Sequence, residues 1–429
     1  MRIAIIGAGA AGCFASIEIK RCLPQAEVTV YESLKRPLAK VAITGGGRCN
    51  LTNSFQEVKS LEQVYPRGAR LMKRLFHGFD FRDTYTWFES HGVRLVTQSD
   101  QCIFPRSQDA MEIVDTLLRE MNRYGVQLLT EHRVAEVKVE TDERPTRATD
   151  EKSGNNRRYK LTFTDRRWKE AEADVVVVTS GGHPRAEGFQ SLKSLQLDII
   201  PPVPSLFSLC LPQHPLTELT GTVVEQVGAS IPGTKLRAEG PLLITHWGLS
   251  GPAILKLSSF AARHLHDLNY HVPVAINWLG SANEHETRTL LESLAAKNPQ
   301  KQLVHAYPTV LNSRLWAELL RQCGLNPEMR WHELGKKGYN RLCACLTNNT
   351  YQVEGKNQFK EEFVTCGGVA LTNINAATLE CKKHPCLYFA GEVLDLDAVT
   401  GGFNLQAAWT TGFTVAQSII KQAKEQMPA

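Results

Sequence analysis

The chain begins with a glycine-rich motif whose spacing suits a phosphate-containing ligand. Gly7, Gly9 and Gly12 follow the apolar run Ile3–Ile6, and Glu32 lies twenty residues beyond Gly12. The first glycine permits a tight turn, the second lets the backbone approach a pyrophosphate, and the third lets a helix pack on the strand. A carboxylate at the end of the next strand can accept hydrogen bonds from ribose hydroxyls. The motif predicts a dinucleotide site, and Glu32 disfavours a 2′-phosphate.

A second glycine-rich segment, Thr44–Asn50, reads TGGGRCN. Three consecutive glycines let the backbone lie flat against a ligand, while Lys40 and Arg48 supply cations for phosphates. Cys49 invites a redox role, but it has no partner at the CxxC spacing. We interpret Cys49 as a loop residue and the segment as part of the ligand site, with a flexible surface loop as the alternative.

The choice between FAD and NAD depends on the C-terminal part of the chain. The apolar run Leu387–Ala390 leads into Gly391 and Glu392, and Gly401–Gly402 opens a helical pattern. A carboxylate there can reach a ribityl hydroxyl, and a helix start directs N–H groups at the N1 and C2 oxygen of a flavin. An NAD-binding domain does not require a Gly-Glu turn followed by a Gly-Gly helix start. We therefore expect FAD, bound non-covalently because no His or Cys has a spacing that marks attachment.

Catalytic side chains are not singled out by the sequence. His246 and Trp247 precede a predicted helix start, and His183 follows a Gly-Gly turn after a strand. Asp395 and Asp397 lie between the two C-terminal glycine elements and either cap the loop or face the substrate. Flavin chemistry needs no protein nucleophile, so the catalytic residues stay unassigned.

The elements that position these motifs are those of an α/β fold. The apolar runs at 3–6 and 175–178 predict strands buried on both faces, and a helix over 10–20 with a strand over 26–32 completes a βαβ unit. From Pro201, short alternating segments, among them 235–239 and 242–246, predict an antiparallel unit, followed by helices over 250–268 and 309–323. We expect a split Rossmann-like FAD-binding domain (1–198 and 356–429) with an inserted antiparallel β-barrel plus helical domain (199–355).

Three further local predictions accompany this architecture. The pattern predicts strands over 126–129, 134–140 and 159–164, with a polar loop over 144–158 between the last two. Ser250 is predicted to cap the helix that follows it. The strand at 386–390 and the helix over 404–421 are expected to rejoin the first sheet.

Composition limits the partners. The 429 residues are 42% hydrophobic, with a formal net charge of +5 that is too mild to demand nucleic acid. Eleven cysteines without a CxxC pair argue against a metal site and suit a reducing compartment. No apolar run is long enough for a signal peptide or a membrane span. We expect a cytoplasmic protein with a small-molecule substrate, no nucleic-acid partner and no membrane; its oligomeric state is open.

Together these motifs resemble the BaiN/YhiN-like family of bacterial NAD(P)/FAD-dependent oxidoreductases. The resemblance rests on GAGAAG at 7–12, ITGGGRCNLTN at 43–53, THWGLSGPAIL at 245–255, CGGV at 366–369 and the block at 391–412. It implies an FAD-binding fold of the kind described above. Family members are linked to reduction of unsaturated oxo-steroid bile acids and to oxidation of aminoacetone.

The resemblance also implies a set of cofactor contacts. It places Gly7, Gly9, Ala11, Gly12 and Glu32 on the ADP half of FAD, Lys40, Gly46, Gly47, Arg48, Cys49 and Asn50 along the cofactor, Val134 at the adenine, and Gly391, Glu392, Gly402, Asn404 and Leu405 at the ribityl chain and isoalloxazine. After Gly181–Gly182 the family's Thr-Gly-rich continuation is missing, so contacts of that turn with the flavin stay open.

The resulting expectation is an FAD-dependent oxidoreductase that transfers a hydride between flavin and a small organic substrate. NAD(P)H is open as a transient donor, because no second GxGxxG unit exists to hold it. The alternatives are an oxidase that uses oxygen on an amine-type substrate, a non-catalytic flavin-binding or RNA-modification-related protein, and an NAD-only dehydrogenase.

Overall fold

The computed structural model describes residues 1–141, 157–165, 167–357 and 364–426. The strands are β1 (Arg2–Ile6), β2 (Glu27–Tyr31), β3 (Thr52–Asn53), β4 (Leu95–Thr97), β5 (Cys102–Pro105), β6 (Gln127–Leu129), β7 (Val134–Thr141), β8 (Arg157–Phe163), β9 (Ala171–Ala173), β10 (Val175–Val178), β11 (Ile199–Ser205), β12 (Leu209–Cys210), β13 (Val223–Ser230), β14 (Arg237–Thr245), β15 (Gly248–Ser250), β16 (His271–Asn277), β17 (Asn349–Glu354), β18 (Val364–Val369) and β19 (Leu387–Phe389). The helices are α1 (Ala10–Cys22), α2 (Ala39–Gly47), α3 (Ala69–Leu75), α4 (Phe81–Ser90), α5 (Ala110–Tyr124), α6 (Pro252–Phe260), α7 (Ala262–Asp267), α8 (Glu284–Lys297), α9 (Ser313–Gln322), α10 (Gly335–Thr347) and α11 (Phe403–Gln426).

The chain divides into two compact units, Met1–Val203 with Thr365–Ala429, and Pro204–Val364. We call them unit 1 and unit 2. This division is based on contacts within the chain. The predicted domain boundaries, near 198 and 356, describe domains that fold independently, and they stay predictions.

Unit 1 is built on a five-stranded sheet in the order β19-β10-β1-β2-β6. All four strand pairs are parallel, and β1 lies at the centre between β10 and β2. The residues of β10 are buried throughout, as expected for an apolar strand covered on both faces of a parallel sheet. β19 comes from the C-terminal part of the chain and pairs with β10, so the expected return of the chain to the first sheet is confirmed.

Smaller sheets accompany this one. β3, β5 and β4 form one antiparallel sheet, β7, β8 and β9 form another, and β11 pairs with β18. Against the parallel sheet, α1 and α11 bury an aromatic cluster in which the ring of Phe14 lies 5.7 Å from that of Trp409. An added Cβ at Gly412 of α11 would lie 2.8 Å from the Ala11 carbonyl oxygen, so the two helices approach closely at a glycine.

Unit 2 contains a six-stranded antiparallel sheet in the order β12-β15-β14-β13-β16-β17. A bridge between Leu209 and Lys356 links its two outer ends. Closure into a barrel stays a prediction. The helices α6–α10 cover a core with three fully buried tryptophans, Trp278, Trp316 and Trp331.

Several local predictions are corrected by the structure. The segments 235–239 and 242–246 form one strand, β14, because Gly240 and Pro241 sit at a register shift opposite Val224 and Val227 and the ladder continues beyond them. The helix predicted over 250–268 is two helices, α6 and α7, that meet at Ala261.

The predicted cap and loop also differ. Gly251 is the N-cap of α6, while the Ser250 hydroxyl lies 2.7 Å from the Ser208 hydroxyl. Of the loop predicted over 144–158, residues 144–156 lie outside the described residues, and 157–158 already belong to β8. Within the described ranges, no helix is both long and apolar enough to cross a membrane, and no cluster of three metal-ligating side chains is found.

Candidate functional site

The glycines of the turn between β1 and α1 differ in their surroundings: two are closely packed and one is open. Gly7 has a φ of 106°, and an added Cβ there would lie 2.5 Å from the Thr179 carbonyl oxygen. At Gly12 an added Cβ would lie 2.1 Å from the Gly7 carbonyl oxygen. At Gly9, by contrast, no described atom lies within 4 Å of that position. Gly7 and Gly12 therefore make the turn, while Gly9 leaves the backbone at the start of α1 open to a ligand.

The Glu32 carboxylate is held beside this turn. Its Oε2 accepts a hydrogen bond from the Ala8 N–H at 2.8 Å, and its Oε1 accepts from the Leu34 N–H at 2.7 Å and the Ser33 hydroxyl at 3.1 Å. The residue is buried at the end of β2. A carboxylate has about four lone-pair sites, so three bonds leave capacity for one further donor such as a ribose hydroxyl.

The segment 44–50 interrupts α2 with left-handed backbone. Gly45, Gly46 and Gly47 have φ values of 60°, 69° and 82°. An added Cβ at Gly45 would lie 2.9 Å from the Asn50 nitrogen, whereas at Gly46 and Gly47 the described residues place no atom within 4 Å. Gly45 is therefore a packed position, and Gly46 and Gly47 present open backbone.

Arg48 and Cys49 have opposite surroundings. The exposed Arg48 guanidinium lies 4.6 Å from the centre of the Phe104 ring, and its Nε donates to the Gly45 carbonyl oxygen at 3.1 Å. The Cys49 side chain is fully buried at a φ of 59°. Burial raises the pKa of the Cys49 thiol to about 12, so it stays protonated at neutral pH. Cys49 packs the loop, and only its backbone can face a ligand.

The start of α11 is fixed to the segment that follows Cys49. An added Cβ at Gly402 would lie 2.3 Å from the Thr52 carbonyl oxygen. With the Asn50 amide oriented to satisfy both partners, its nitrogen donates to the Thr52 oxygen at 3.1 Å and its oxygen accepts from the Gly402 N–H at 3.2 Å. These contacts hold the positive end of α11 beside the glycine-rich loop.

Asn404 and Leu405 belong to the first turn of α11. The Asn404 side chain accepts from the Ala398 N–H at 2.9 Å and donates to the Ala398 carbonyl oxygen at 2.8 Å. Its amide therefore closes the preceding loop, and its backbone N–H is the group left for a ligand. Leu405 is half-buried.

Gly391 and Glu392 follow β19, the strand that pairs with β10. The ammonium of Lys40 lies 2.9 Å from Glu392 Oε2, and Glu392 Oε1 accepts from the Thr365 N–H at 2.9 Å. An added Cβ at Gly182 would lie 2.6 Å from Glu392 Oε1. The Gly181–Gly182 turn, whose role the sequence left open, thus lies against the carboxylate predicted for the ribityl chain.

The predicted positions Gly391, Ala11 and Val134 also lie at the carboxyl end of the parallel sheet. An added Cβ at Gly391 would lie 3.1 Å from the Ala11 side chain, so the turns after β1 and β19 meet. The His132 N–H donates to the Glu32 carbonyl oxygen at 2.7 Å, which brings the start of β7, with Val134, to the end of β2. The structure thus gathers the predicted cofactor positions at the carboxyl end of the parallel sheet of unit 1; their contacts with FAD stay predictions.

The side chains considered as catalytic candidates have different surroundings in the structure. Asp397 is fully buried and forms a bidentate ion pair with Arg67, whose Nε lies 2.5 Å from Oδ1. His183 is half-buried, and its pKa is lowered first by burial and then by the Lys40 charge. His246 is exposed in the turn between β14 and β15 of unit 2. Sequence reasoning missed Arg67, because no local pattern connects it to a residue 330 positions away.

Comparison with known proteins gives a family and a fold. A family model described as HI0933-like protein Rossmann domain matches residues 1–418. The 3-dehydro-bile acid delta(4,6)-reductase of Clostridium scindens is 26% identical and aligns over 97% of this chain and 98% of its own length. The ribosomal RNA dihydrouridine synthase of Escherichia coli is 29% identical over 97% of each chain. The FrdA chain of E. coli quinol fumarate reductase matches with a TM-score of 0.50 at 14% identity, covering 100% of this chain and 72% of that chain, which is a similarity of fold.

Proposed function

This chain belongs to the HI0933-like family, and from that premise we propose that it is an FAD-dependent reductase of a carbon–carbon double bond conjugated to a carbonyl group. The names of both relatives describe such a reduction. In a 3-dehydro bile acid the delta(4,6) bonds are conjugated to the 3-oxo group, and in uridine the double bond of the uracil ring is conjugated to a ring carbonyl. The shared chemistry, rather than either substrate, is the core of the proposal.

The observation that carries the proposal is the open cradle of unit 1. Gly9, Gly46 and Gly47 expose backbone where a side chain would otherwise stand, and Glu32 has one acceptor position to spare. The residues present fit a flavin dinucleotide: the start of α1 would hold the pyrophosphate, Glu32 would accept from a ribose hydroxyl, and the start of α11 would meet the pyrimidine edge of the ring. When bound, FAD supplies the hydride.

The protein's own part in the reaction is binding, orientation and electrostatics. The positive end of α11 would favour negative charge on the edge of a flavin ring held next to it. The ion pair of Lys40 with Glu392 fixes the carboxylate that would meet the ribityl chain. Cys49 is fully buried, and we assign it no proton transfer.

For the substrate we favour uracil in RNA, with a steroid-like enone as the second candidate. The relative that acts on ribosomal RNA is 29% identical over nearly the full length of both chains, and the bile-acid reductase supports the second candidate at 26%. NADH or NADPH is the proposed electron donor, reaching the flavin from the open side of the site because the sequence holds no second dinucleotide motif.

The test begins with the visible spectrum of the purified protein, in which flavin absorbs near about 370 and 450 nm. Anaerobic NADH or NADPH should bleach the longer-wavelength band. The reduced protein is then mixed with an unmodified ribosomal RNA transcript or with a 3-oxo-4-ene steroid, and reoxidation is followed together with the gain of two hydrogens in the product. A colourless protein, or a reduced flavin that neither acceptor reoxidises faster than buffer alone, contradicts the proposal.

A further inference from the structure

The net positive charge of the chain is concentrated in one stretch of unit 2. Residues 297–345 contain eight Lys and Arg against three Asp and Glu, an excess of five. The formal net charge of the whole chain is +5, so the remainder is balanced. All eight cationic residues of the stretch are exposed. The mild overall basicity therefore hides a local basic surface.

Five of these cations lie on adjoining elements. Lys301 and Arg330 are on paired backbone segments, because Gln302 bridges Arg330 and the Trp331 N–H donates to the Lys301 carbonyl oxygen at 3.1 Å. A shallow groove beside them is lined by Pro299, His332 and Lys336, together with Arg288 and Glu292, which form an ion pair with each other.

The other cations follow along helix α10. Lys337 and Arg341 are one helical turn apart, and Lys336 adjoins them on the exposed face. The opposite face of α10 buries Leu342 and Leu346. We call the set Lys301, Arg330, Lys336, Lys337 and Arg341 the α10 strip.

The charges of the α10 strip are not neutralised by the protein. Within the described parts of the chain, none of its five side chains forms an ion pair with a carboxylate. Of the three acidic residues in the stretch, Glu318 is paired with Arg321, and Glu333 accepts from the Arg330 backbone N–H at 2.9 Å. Arg330 itself donates to the Gln300 side chain at 3.0 Å.

Helix stability does not explain the lysines of the strip. Lys336 and Lys337 stand in the first turn of α10, all of which is described, and that turn holds no acidic residue. The N-cap, Leu334, makes no side-chain hydrogen bond to the helix. Cations are unfavourable at the positive end of a helix, so these lysines oppose the macrodipole. An anion bound on this face would offset that unfavourable interaction.

We propose that the α10 strip is the surface on which the phosphate backbone of an RNA substrate docks. The inference rests on the proposed function, because the RNA-modifying relative supplies the reason to choose RNA among polyanions. A phosphate chain matches a row of unpaired cations, and release of its counterions drives binding. An acidic protein or an anionic membrane as the occupant would appear in the test as absence of RNA binding.

The experiment compares two double charge reversals in the full-length protein. Lys336→Glu/Lys337→Glu changes the strip, and Lys235→Glu/Arg237→Glu changes two exposed cations at the start of β14, in the same unit. Binding to a ribosomal RNA transcript is measured by filter retention at several salt concentrations. We expect the strip variant to lose at least about tenfold in affinity and the slope of log K against log salt to fall by about two, with little change in the control.

The Lys336→Glu/Lys337→Glu variant is expected to fold, so a loss of RNA binding would not reflect unfolding. Glutamate in the first turn of a helix is favoured by the macrodipole, so the melting temperature should hold or rise. Reduction of the flavin by NADPH should be unchanged, since it takes place in unit 1. Equal RNA affinity of the two variants would contradict RNA docking on the α10 strip, and it would leave the reductase proposal unaffected. A wild-type protein that shows no salt-sensitive RNA retention also overturns the strip, while turnover of the steroid enone then decides the reductase chemistry separately.

Discussion

Lys40 and Glu392, 352 residues apart in the sequence, form an ion pair with 2.9 Å between Nζ and Oε2. The pair joins the helix before the glycine-rich loop to the turn after β19. Its side chains are 58% and 21% exposed, so its contribution to stability is about 1 kcal/mol or less. Its importance is therefore positional, because it fixes the orientation of a carboxylate at the carboxyl end of the parallel sheet, where the cofactor is predicted to bind.

Replacing Lys40 by methionine should raise the pKa of His183. Burial lowers this pKa most and the Lys40 charge lowers it further, while Glu392 raises it and Arg133 lowers it; removing the Lys40 cation takes away one lowering effect, so the pKa moves back toward its ordinary value. Titration of the His183 ring by NMR measures the change. Lys59→Met removes an exposed lysine from another part of unit 1 and should leave His183 unchanged. A pKa that falls or stays in Lys40→Met contradicts the assignment.

Gly9 and Gly12 should respond differently to alanine. Gly9 has a φ of −88°, which any residue adopts, and the described residues leave space for a Cβ. Gly9→Ala should therefore keep the melting temperature of the flavin-free protein and lose bound flavin. In Gly12→Ala the new Cβ would meet the Gly7 carbonyl oxygen, so α1 must move and stability should fall by at least about 2 kcal/mol. Urea denaturation and the flavin content of each variant distinguish the two outcomes.

Local patterns explain why the first βαβ unit could be predicted from sequence. The apolar run that became β1, the glycines after it and the alternation of β2 each have a period that belongs to one element. The C-terminal strand was predictable for the same reason, and its predicted return to the first sheet is confirmed by its pairing with β10. The family resemblance and the oxidoreductase class are confirmed as well.

The rest of the site depends on contacts between distant segments. Nothing near Lys40 indicates that its partner is Glu392, and nothing near Asp397 indicates Arg67. The contact of Asn404 with the flavin stays a prediction; the sequence did not indicate that its amide closes the loop at Ala398, because that contact depends on loop geometry. The division of β14 into two strands was wrong because glycine and proline mark turns in most sequences, whereas here they stand at a register shift.

Arg67 and Asp397 should be strongly coupled in a double-mutant cycle. Asp397 is fully buried and Arg67 is 11% exposed, so removing either partner takes a well-desolvated ion pair away from the other. Arg67→Met or Asp397→Leu alone should lower the free energy of unfolding by about 3–5 kcal/mol. The double variant should lose less than the sum of the two, because neither charge is left alone. Additive losses in urea denaturation would show that the pair is not the main partner of either side chain.

Cys49 should resist alkylation until the protein unfolds. Its thiol is fully buried and its pKa is raised by that burial to about 12, while a thiol in the unfolded chain ionises near 9.0. Above the unfolded pKa, the unfolded chain releases a proton that the native protein retains. Cys49 therefore lowers the free energy of unfolding as pH rises from about 9 toward 12.

Iodoacetamide labelling at pH 8, read by mass spectrometry with and without urea, measures the accessibility of each cysteine. The half-buried Cys22 in the last turn of α1 is the internal reference and should be modified before Cys49. Labelling of Cys49 in the native protein at a rate similar to that of Cys22 would mean that the thiol faces the ligand site, and its exclusion from proton transfer would then no longer hold.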